Sequence, residues 1–347
     1  MNKRYLFFVS LSYSYSILRP LQEEIWQRGD EVAWFIEPHC EDSLREGEHR
    51  LHTIREVMDY NPIAVFAPGN WIYDFFPGVK VQVFHGYAIN KRNEKNDKDH
   101  FAIRDWFDVY CTQGKSSTPR FKKLEEKYGY FKVYETGWCK IDSFFEQPSK
   151  QQKNEKPVIL YSTTFSKRIT SAPYLLETIT KLVETKPWNW IITLHPLLAQ
   201  ELVEKYEELA NRYENVTFCR NNDGINTFRD VDVMLCDSSS IIVELLLLDK
   251  PVVTLRNTCP GNHLLNVFRE EEVGQAIEKA LTRPADLMRN IKRYTAHHEA
   301  HRDGKSSARV LDAVDDFILN HKGKIRKKPL NLLRKIQLRM RIKYYKW

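Results

Sequence analysis

Short apolar runs alternate with amphipathic stretches along the chain. YLFFVS (5–10) precedes a polar loop and the helix-patterned SILRPLQEEIWQRGD, and EVAWFIE (31–37) leads into a region at 41–59 that predicts a long helix. AVFAPG (64–69), KVQVFHG (80–86), FDVYCTQG (107–114) and KVYETGW (132–138) continue the series as strands. This rhythm is that of βαβ units and a parallel sheet. QPSKQQKNEKP (147–157) has no apolar residue and two prolines, which predicts a linker. The rhythm restarts with VILYSTTF (158–165), a helix near 172–185, WNWIITLHP (188–196), a second helix, VTFCR (216–220), VDVMLCDSSS (231–240), a helix from 241, and PVVTLR (251–256). The expected architecture is α/β: a doubly wound domain at 1–146, a linker at 147–157, a second doubly wound domain at 158–319, and a tail at 320–347. Such folds carry ligand groups at the C-terminal ends of their strands, so a cleft between the halves is the expected site.

Composition sharpens this picture. At 347 residues with 42% hydrophobic and 12% aromatic side chains, the chain has material for more than one core and is not disordered. Its net charge of +7 is concentrated at one end. Residues 320–347 hold eleven Lys/Arg and no carboxylate, and the first 319 residues carry 42 basic against 46 acidic side chains, a net of −4. A mildly acidic body excludes extended nucleic-acid binding across its surface. Six scattered cysteines without a CxxC pair suggest no disulfide framework or structural zinc, and a reducing cytoplasm fits. The basic start and apolar Tyr5–Val9 are too short for a signal peptide and read as a first strand. The longest other apolar run, IIVELLLL (241–248), is well below the ~20 residues of a spanning helix.

Three strand ends finish in chemically useful groups. KVQVFHG ends on His85 and Gly86, WNWIITLHP on His195 and Pro196, and VDVMLCDSSS on Asp237, Ser238, Ser239 and Ser240 before a helix. Histidine suits proton transfer near neutrality; a buried imidazole bonded to a backbone carbonyl is the equally weighted alternative. The serines offer one N-cap and further hydroxyls for a phosphate, with plain capping as the alternative. Thr163 and Thr164 repeat the arrangement beside Lys167 and Arg168, where a solvated loop is the alternative. HHEAHRDGKSSAR (297–309) gathers histidines, the Asp303-Gly304 turn, Ser306, Ser307 and Arg309; His297 and His301 lack a third ligand at metal spacing, so a loop is preferred to a metal site. Motifs of nicotinamide binding, Walker-loop NTP hydrolysis, serine hydrolysis and zinc proteolysis are missing, and no carboxylate pair is spaced for glycosidase chemistry.

Taken in order, these motifs resemble the CDP-glycerol glycerophosphotransferase family over about residues 60–310. Phe84-His85-Gly86-Tyr87-Ala88-Ile89-Asn90-Lys91 is similar to its aromatic-His-Gly-Thr-Pro-Leu-Lys-Lys element, matching at His85, Gly86 and Lys91 and departing at Tyr87, Ala88 and Asn90. Tyr161-Ser-Thr-Thr-Phe resembles a Tyr-Ala-Pro-Thr-aromatic-Arg loop with Thr163 for proline and Ser166 for arginine. Leu194-His195-Pro196, Asp237-Ser238-Ser239-Ser240 with Glu244, and Asp303-Gly304-Lys305-Ser306-Ser307-Ala308-Arg309 fit the remaining elements. The resemblance implies a GT-B arrangement of two Rossmann-like domains and a cell-envelope phosphopolymer transferase. It places Thr163, Thr164, Arg168, Asp237, Ser238, Ser239, Ser240, Glu244, Ser306, Ser307 and Arg309 at the donor and Gly86 and Lys91 on the acceptor side. His195 joins the donor contacts, and His85 is the base that deprotonates the acceptor. In-line attack on the glycerol-linked phosphorus of CDP-glycerol then releases CMP, with no metal or other cofactor required.

KGKIRKKPLNLLRKIQLRMRIKYYKW predicts a helix after Pro329 with Leu333, Ile336, Met340, Tyr344 and Trp347 in one stripe among basic groups. That composition suits an anionic membrane surface, at about 1 kcal/mol per basic residue, and a peripheral position on the inner face of the plasma membrane. A helix docked on the body is the alternative. The rival enzyme readings are a CMP-sugar capsule transferase of sialic acid or Kdo type, and a nucleotide-sugar 2-epimerase. Pro251–Thr258 resembles the latter, although its acidic residues and Ser-Gly-Gly loop are missing. A basic-tailed membrane adaptor is the non-enzymatic reading, and it leaves the strand-end histidines unexplained.

Overall fold

Parallel strands covered on both faces are apolar throughout rather than alternating, and Arg4–Val9, buried at every residue but the first, has that pattern. The computed structural model describes residues 2–87, 100–145, 154–195, 197–220 and 228–345. Lys91, Ala88, Asn90, Pro196, most of the expected linker and Trp347 lie outside the described residues. Two compact units are present. One comprises described residues 2–87, 100–145 and 298–345; the other comprises those between 154 and 297.

The first unit has seven strands: β1 (Arg4–Val9), β2 (Glu31–Ile36), β3 (Arg50–Leu51), β4 (Ala64–Ala67), β5 (Val79–Gln82), β6 (Val109–Thr112) and β7 (Lys132–Glu135). They lie in the order β3-β2-β1-β4-β5-β6-β7, each pair parallel. The second has β8 (Val158–Thr163), β9 (Asn189–Leu194), β10 (Val216–Phe218), β11 (Val233–Cys236), β12 (Val252–Leu255) and β13 (Leu265–Val267), ordered β10-β9-β8-β11-β12-β13 and again parallel. Both are Rossmann-like doubly wound sheets. The strand order reverses between β1 and β4 in one and between β8 and β11 in the other, which is where such sheets open to ligands. The first helix, Ser14–Gln27, turns Ile17, Leu18, Leu21 and Ile25 inward at helical spacing, and the Trp34 indole N–H donates to Gln22 at 2.7 Å beneath it. The second core centres on Ile159, Tyr161, Trp190, Leu235 and Val253.

Three expectations are corrected. The long helix at 41–59 is only Ile54–Tyr60, capped by Thr53, whose hydroxyl accepts from the Glu56 N–H at 3.1 Å. Upstream, Asp42 accepts from the Leu44 N–H and Glu48 from the Arg45 N–H, local bonds that compete with helix formation. The second domain does not run to 319, because the chain rejoins the first unit at His298. There the helix Ser306–Asp316 is tied by Arg28–Asp312 at 2.9 Å, Lys3–Asp315 at 2.7 Å and the Tyr134 hydroxyl donating to Asp316 at 2.5 Å. The tail helix Leu332–Ile342 is docked on the first unit rather than standing apart. Leu338 joins that unit's core, Arg339 pairs with Asp74 at 3.0 Å, Lys328 with Asp108 at 2.7 Å, and Tyr344 stacks on Phe75 at 4.4 Å. The expected stripe is thereby divided, with Tyr344 turned inward and Leu333, Ile336 and Met340 outward. No described helix is long and apolar enough to cross a membrane.

Candidate functional site

In the first unit the end of β5 is forced into an unusual turn. Phe84 has φ +58°, a left-handed conformation that costs a non-glycine residue about 1–3 kcal/mol and needs support from its surroundings. Its carbonyl accepts from the Trp138 indole at 3.2 Å, and its ring packs on Phe121 at 5.2 Å and His100 at 5.4 Å. The turn presents His85 at the surface, stacked on Tyr13 at 5.3 Å. His85 Nδ1 lies 3.4 Å from the Pro68 carbonyl oxygen. A carbonyl only accepts, so this bond puts the ring proton on Nδ1 and leaves Nε2 of the neutral ring as the proton acceptor. Burial, with a smaller contribution from Cys40, pushes the Tyr13 phenol up to about 12, so it remains a neutral neighbour. Gly86 follows, its carbonyl accepting from the Gln113 side chain at 3.1 Å.

Behind this turn lies a buried carboxylate. Glu299 accepts from the Tyr87 hydroxyl at 2.8 Å, the Trp138 N–H at 3.2 Å and the His301 N–H at 3.0 Å. Desolvation raises its carboxyl to about 8 despite those three donors, and the Asp142 charge adds to the rise. Two glycines make room for the returning segment. A Cβ on Gly114 would meet the His298 carbonyl oxygen at 2.8 Å, and one on Gly137, at φ +77°, would meet Ser306 Oγ at 2.5 Å and Glu299 Oε1 at 2.6 Å. Ser306 and Ser307, expected at the donor, instead donate their backbone N–H groups to Asp142 at 2.8 and 2.6 Å in the first unit. Arg309 is spent on Asp303, with two bonds of 2.9 and 2.5 Å, and that ion pair holds the Asp303 carboxyl down at about 2. The backbone N–H groups of Ser306 and Ser307 and the Arg309 guanidinium are therefore held by carboxylates of the first unit, and the segment that carries them belongs to that unit.

In the second unit the ends of β8 and β11 meet where the strand order reverses. Asp237 is wholly buried and gathers the hydroxyl of Thr163, the N–H of Thr164 at 3.0 Å, the N–H of Ser171 at 3.0 Å and the N–H of Ser238 at 2.6 Å. Two of the N–H groups that the sequence offered to a phosphate, those of Thr164 and Ser238, are thus taken by a side-chain carboxylate. Asp237, Thr163 and Ser238 build the loops rather than line them, and Ser238 Oγ accepts from the Thr258 N–H at 2.9 Å. Ser240 stands at the N-cap of Ile241–Leu247 without a side-chain cap bond, and Ser239 beside it is half-buried. Glu244 is buried in the first turn. Thr164 is half-buried, whereas Lys167 and Arg168 are exposed.

His195 ends β9, its ring 4.4 Å from that of Phe165, which brings the β8 and β9 loops together. Its Nδ1 accepts from the Leu197 N–H at 3.1 Å, so the neutral ring carries its proton on Nε2 and is a donor there. The neutral rings of His85 and His195 therefore carry their protons on opposite nitrogens. Sequence reasoning missed Tyr13, Gly114, Gly137 and Glu299. The glycines of CTQG and ETGW at two strand ends were the available signal. No cluster of metal-ligating side chains occurs among the described residues.

The family described as UDP-N-acetylglucosamine 2-epimerase matches residues 124–315. No curated sequence relative matches. Similar solved structures include S. aureus MnaA with UDP (15% identity, TM-score 0.63, covering 94% of this chain and 99% of that one). The wall teichoic acid polymerase TagF is similar at 15% identity and TM-score 0.63, covering 91% of this chain and 89% of that one. A UDP-N-acetylglucosamine 2-epimerase is similar at 16% identity and TM-score 0.55, covering 95% and 99%. At these identities the likeness establishes the fold, which is GT-B-like.

Proposed function

From a chain that belongs to the UDP-N-acetylglucosamine 2-epimerase family, we infer an enzyme that holds a nucleotide diphosphate donor on its second unit and transfers the activated group to an alcohol. The family match begins at residue 124, after the segment carrying His85. The match covers residues 147–297 of the second unit and also 124–146 and 298–315 of the first.

The observation that carries the reading is the hydrogen bonding of His85, whose Nδ1–H donates to Pro68 and leaves Nε2 to accept a proton. In this reading an acceptor hydroxyl gives its proton to His85 Nε2, and its oxygen attacks the glycerol-linked phosphorus of CDP-glycerol. The bond from that phosphorus to CMP breaks, and CMP leaves with the electron pair. His195 Nε2–H donates to a phosphate oxygen as charge builds, a contribution of the kind that fixed donors make most effectively. Ser239 and Ser240 supply hydroxyls to the same nucleotide. Thr164 and Arg168 complete the donor side, and Gly86 lines the acceptor side. Envelope or capsule polymer synthesis is the setting that this chemistry fits, since TagF is a polymerase of wall teichoic acid.

The family match also favours a second reading, 2-epimerisation of a UDP-sugar, which inverts a carbon centre and leaves no net transfer. Separate incubation with CDP-glycerol, CMP-sialic acid, CMP-Kdo and UDP-N-acetylglucosamine distinguishes them. CMP release from CDP-glycerol that depends on an added polyol or saccharide acceptor supports the transferase. Conversion of the UDP-sugar with no turnover of any cytidine donor replaces it with the epimerase, and CMP release from a CMP-sugar alone replaces glycerol phosphate with a sugar.

A further inference from the structure

The tail helix Leu332–Ile342 satisfies one side and leaves the other unusual. At 100° per residue, Lys335, Leu338, Arg339 and Ile342 share a face, and that face is the docked one: Leu338 and Ile342 pack into the first core while Lys335 and Arg339 reach Asp74. Leu333, Ile336 and Met340 lie on the opposite side and are 80%, 38% and 62% exposed. Leu330 and Leu332, just before them, are also exposed. A helix whose purpose was only to dock would be polar on that outer side. Here the outer side carries Leu333, Ile336 and Met340, and Lys324, Lys327 and Lys343 of the same segment are exposed, with no carboxylate after Asp316.

We propose that this outward face rests on a membrane carrying anionic lipid, with the inner face holding the first unit to it. The charge selects the occupant. Exposed aliphatics on a segment whose own charged side chains are all basic match a layer that is apolar below and negatively charged at its surface. The docked helix enters the interface already folded, so binding does not have to order it.

The test uses the full chain and sedimentation with two kinds of vesicle, phosphatidylcholine alone and an equal mixture with phosphatidylglycerol. The wild type is expected to partition at least ~10-fold more strongly to the anionic vesicles and to lose that preference as salt rises. The variant L333S/I336S/M340S, altered only at exposed positions and checked for an unchanged melting temperature, is expected to lose binding by at least ~10-fold. A second variant, K324E/K327E/K343E, keeps the aliphatics and is expected to abolish the preference for phosphatidylglycerol. Equal sedimentation of wild type and serine variant, or no sedimentation of the wild type, overturns the proposal. So does a wild type that is dimeric without vesicles and a serine variant that is monomeric, since the face would then be covered by a second copy. None of these residues belongs to the nucleotide or proton-transfer machinery, so the outcome is independent of which reaction the enzyme performs.

Discussion

One backbone neighbour each makes two histidines chemically different. Pro68 offers His85 only an acceptor, and Leu197 offers His195 only a donor, so Nε2 is basic in one ring and protonated in the other. Substitution should separate these roles. His85→Ala is expected to lower turnover of CDP-glycerol by at least ~10² while leaving donor affinity in calorimetry unchanged. His195→Ala is expected to lower turnover by a similar ~10² and also to weaken the donor. Unchanged turnover in either purified variant removes that ring from the mechanism. Glu299 makes a different prediction. Its carboxyl is raised to about 8 in the folded protein, above the ordinary range, so the native state keeps a proton that the unfolded chain releases in the ordinary carboxylate range. The stabilising contribution is complete below the unfolded value and is lost as pH rises through about 8. The melting temperature of the first unit should therefore fall between the ordinary carboxylate range and about pH 8 and level off above it, and Glu299→Gln should flatten that fall. An identical slope in the variant assigns the effect elsewhere.

At the scale of elements, the helix Ser306–Asp316 begins on the Asp142 carboxylate, which takes two of its otherwise orphaned N–H groups and sits at the positive end of its dipole. Asp142→Ala should cost about 1–3 kcal/mol in urea unfolding, the loss of a cap plus two buried donors left unpaired. Gly137→Ala should cost a similar ~1–3 kcal/mol, because its left-handed backbone and the 2.5 Å approach to Ser306 both reject a methyl group. Gly86→Ala is the contrast. Nothing lies within 4 Å of its Cβ position, so stability should hold, and any loss of activity then reports the acceptor side. The strands were legible in the sequence because a parallel strand's signal is local: a short apolar run and a polar exit. Asp237 was misread because its surroundings are not local. Ser238 is its neighbour in sequence, but Thr163, Thr164 and Ser171 reach it from another strand end, and only the fold reveals that they saturate it. The motif at 303–309 was found but placed with the wrong unit for the same reason, since Asp142 is distant in sequence.

For the whole molecule, the consequence is a chain whose first unit is assembled from both of its ends. The helix Ala285–His298 carries no apolar break or linker that announces a change of unit, and the return is written only in contacts such as Tyr87–Glu299 and Lys3–Asp315. The tail then adds Leu338 and Ile342 to a hydrophobic cluster otherwise built from the chain's first 133 residues. The second sheet, by contrast, draws its six described strands from one continuous stretch, Val158 to Val267, and the hydrophobic cluster around it runs, among the described residues, from Ile159 to Leu281. Removing residues 298–347 should therefore be selective. Without it, Glu299, the helix Ser306–Asp316 and the docked tail helix vanish together, exposing the apolar surface they cover on the first sheet. That surface is worth about 25 cal/mol per Å², ample to unfold a unit of ordinary marginal stability. Hydrogen exchange on the truncated chain should show β1, β2 and β4–β7 unprotected and β8, β9, β11 and β12 still slow, and nucleotide binding, if it belongs to the second unit alone, should survive. Protection lost equally in both sheets would mean that the two units unfold as one.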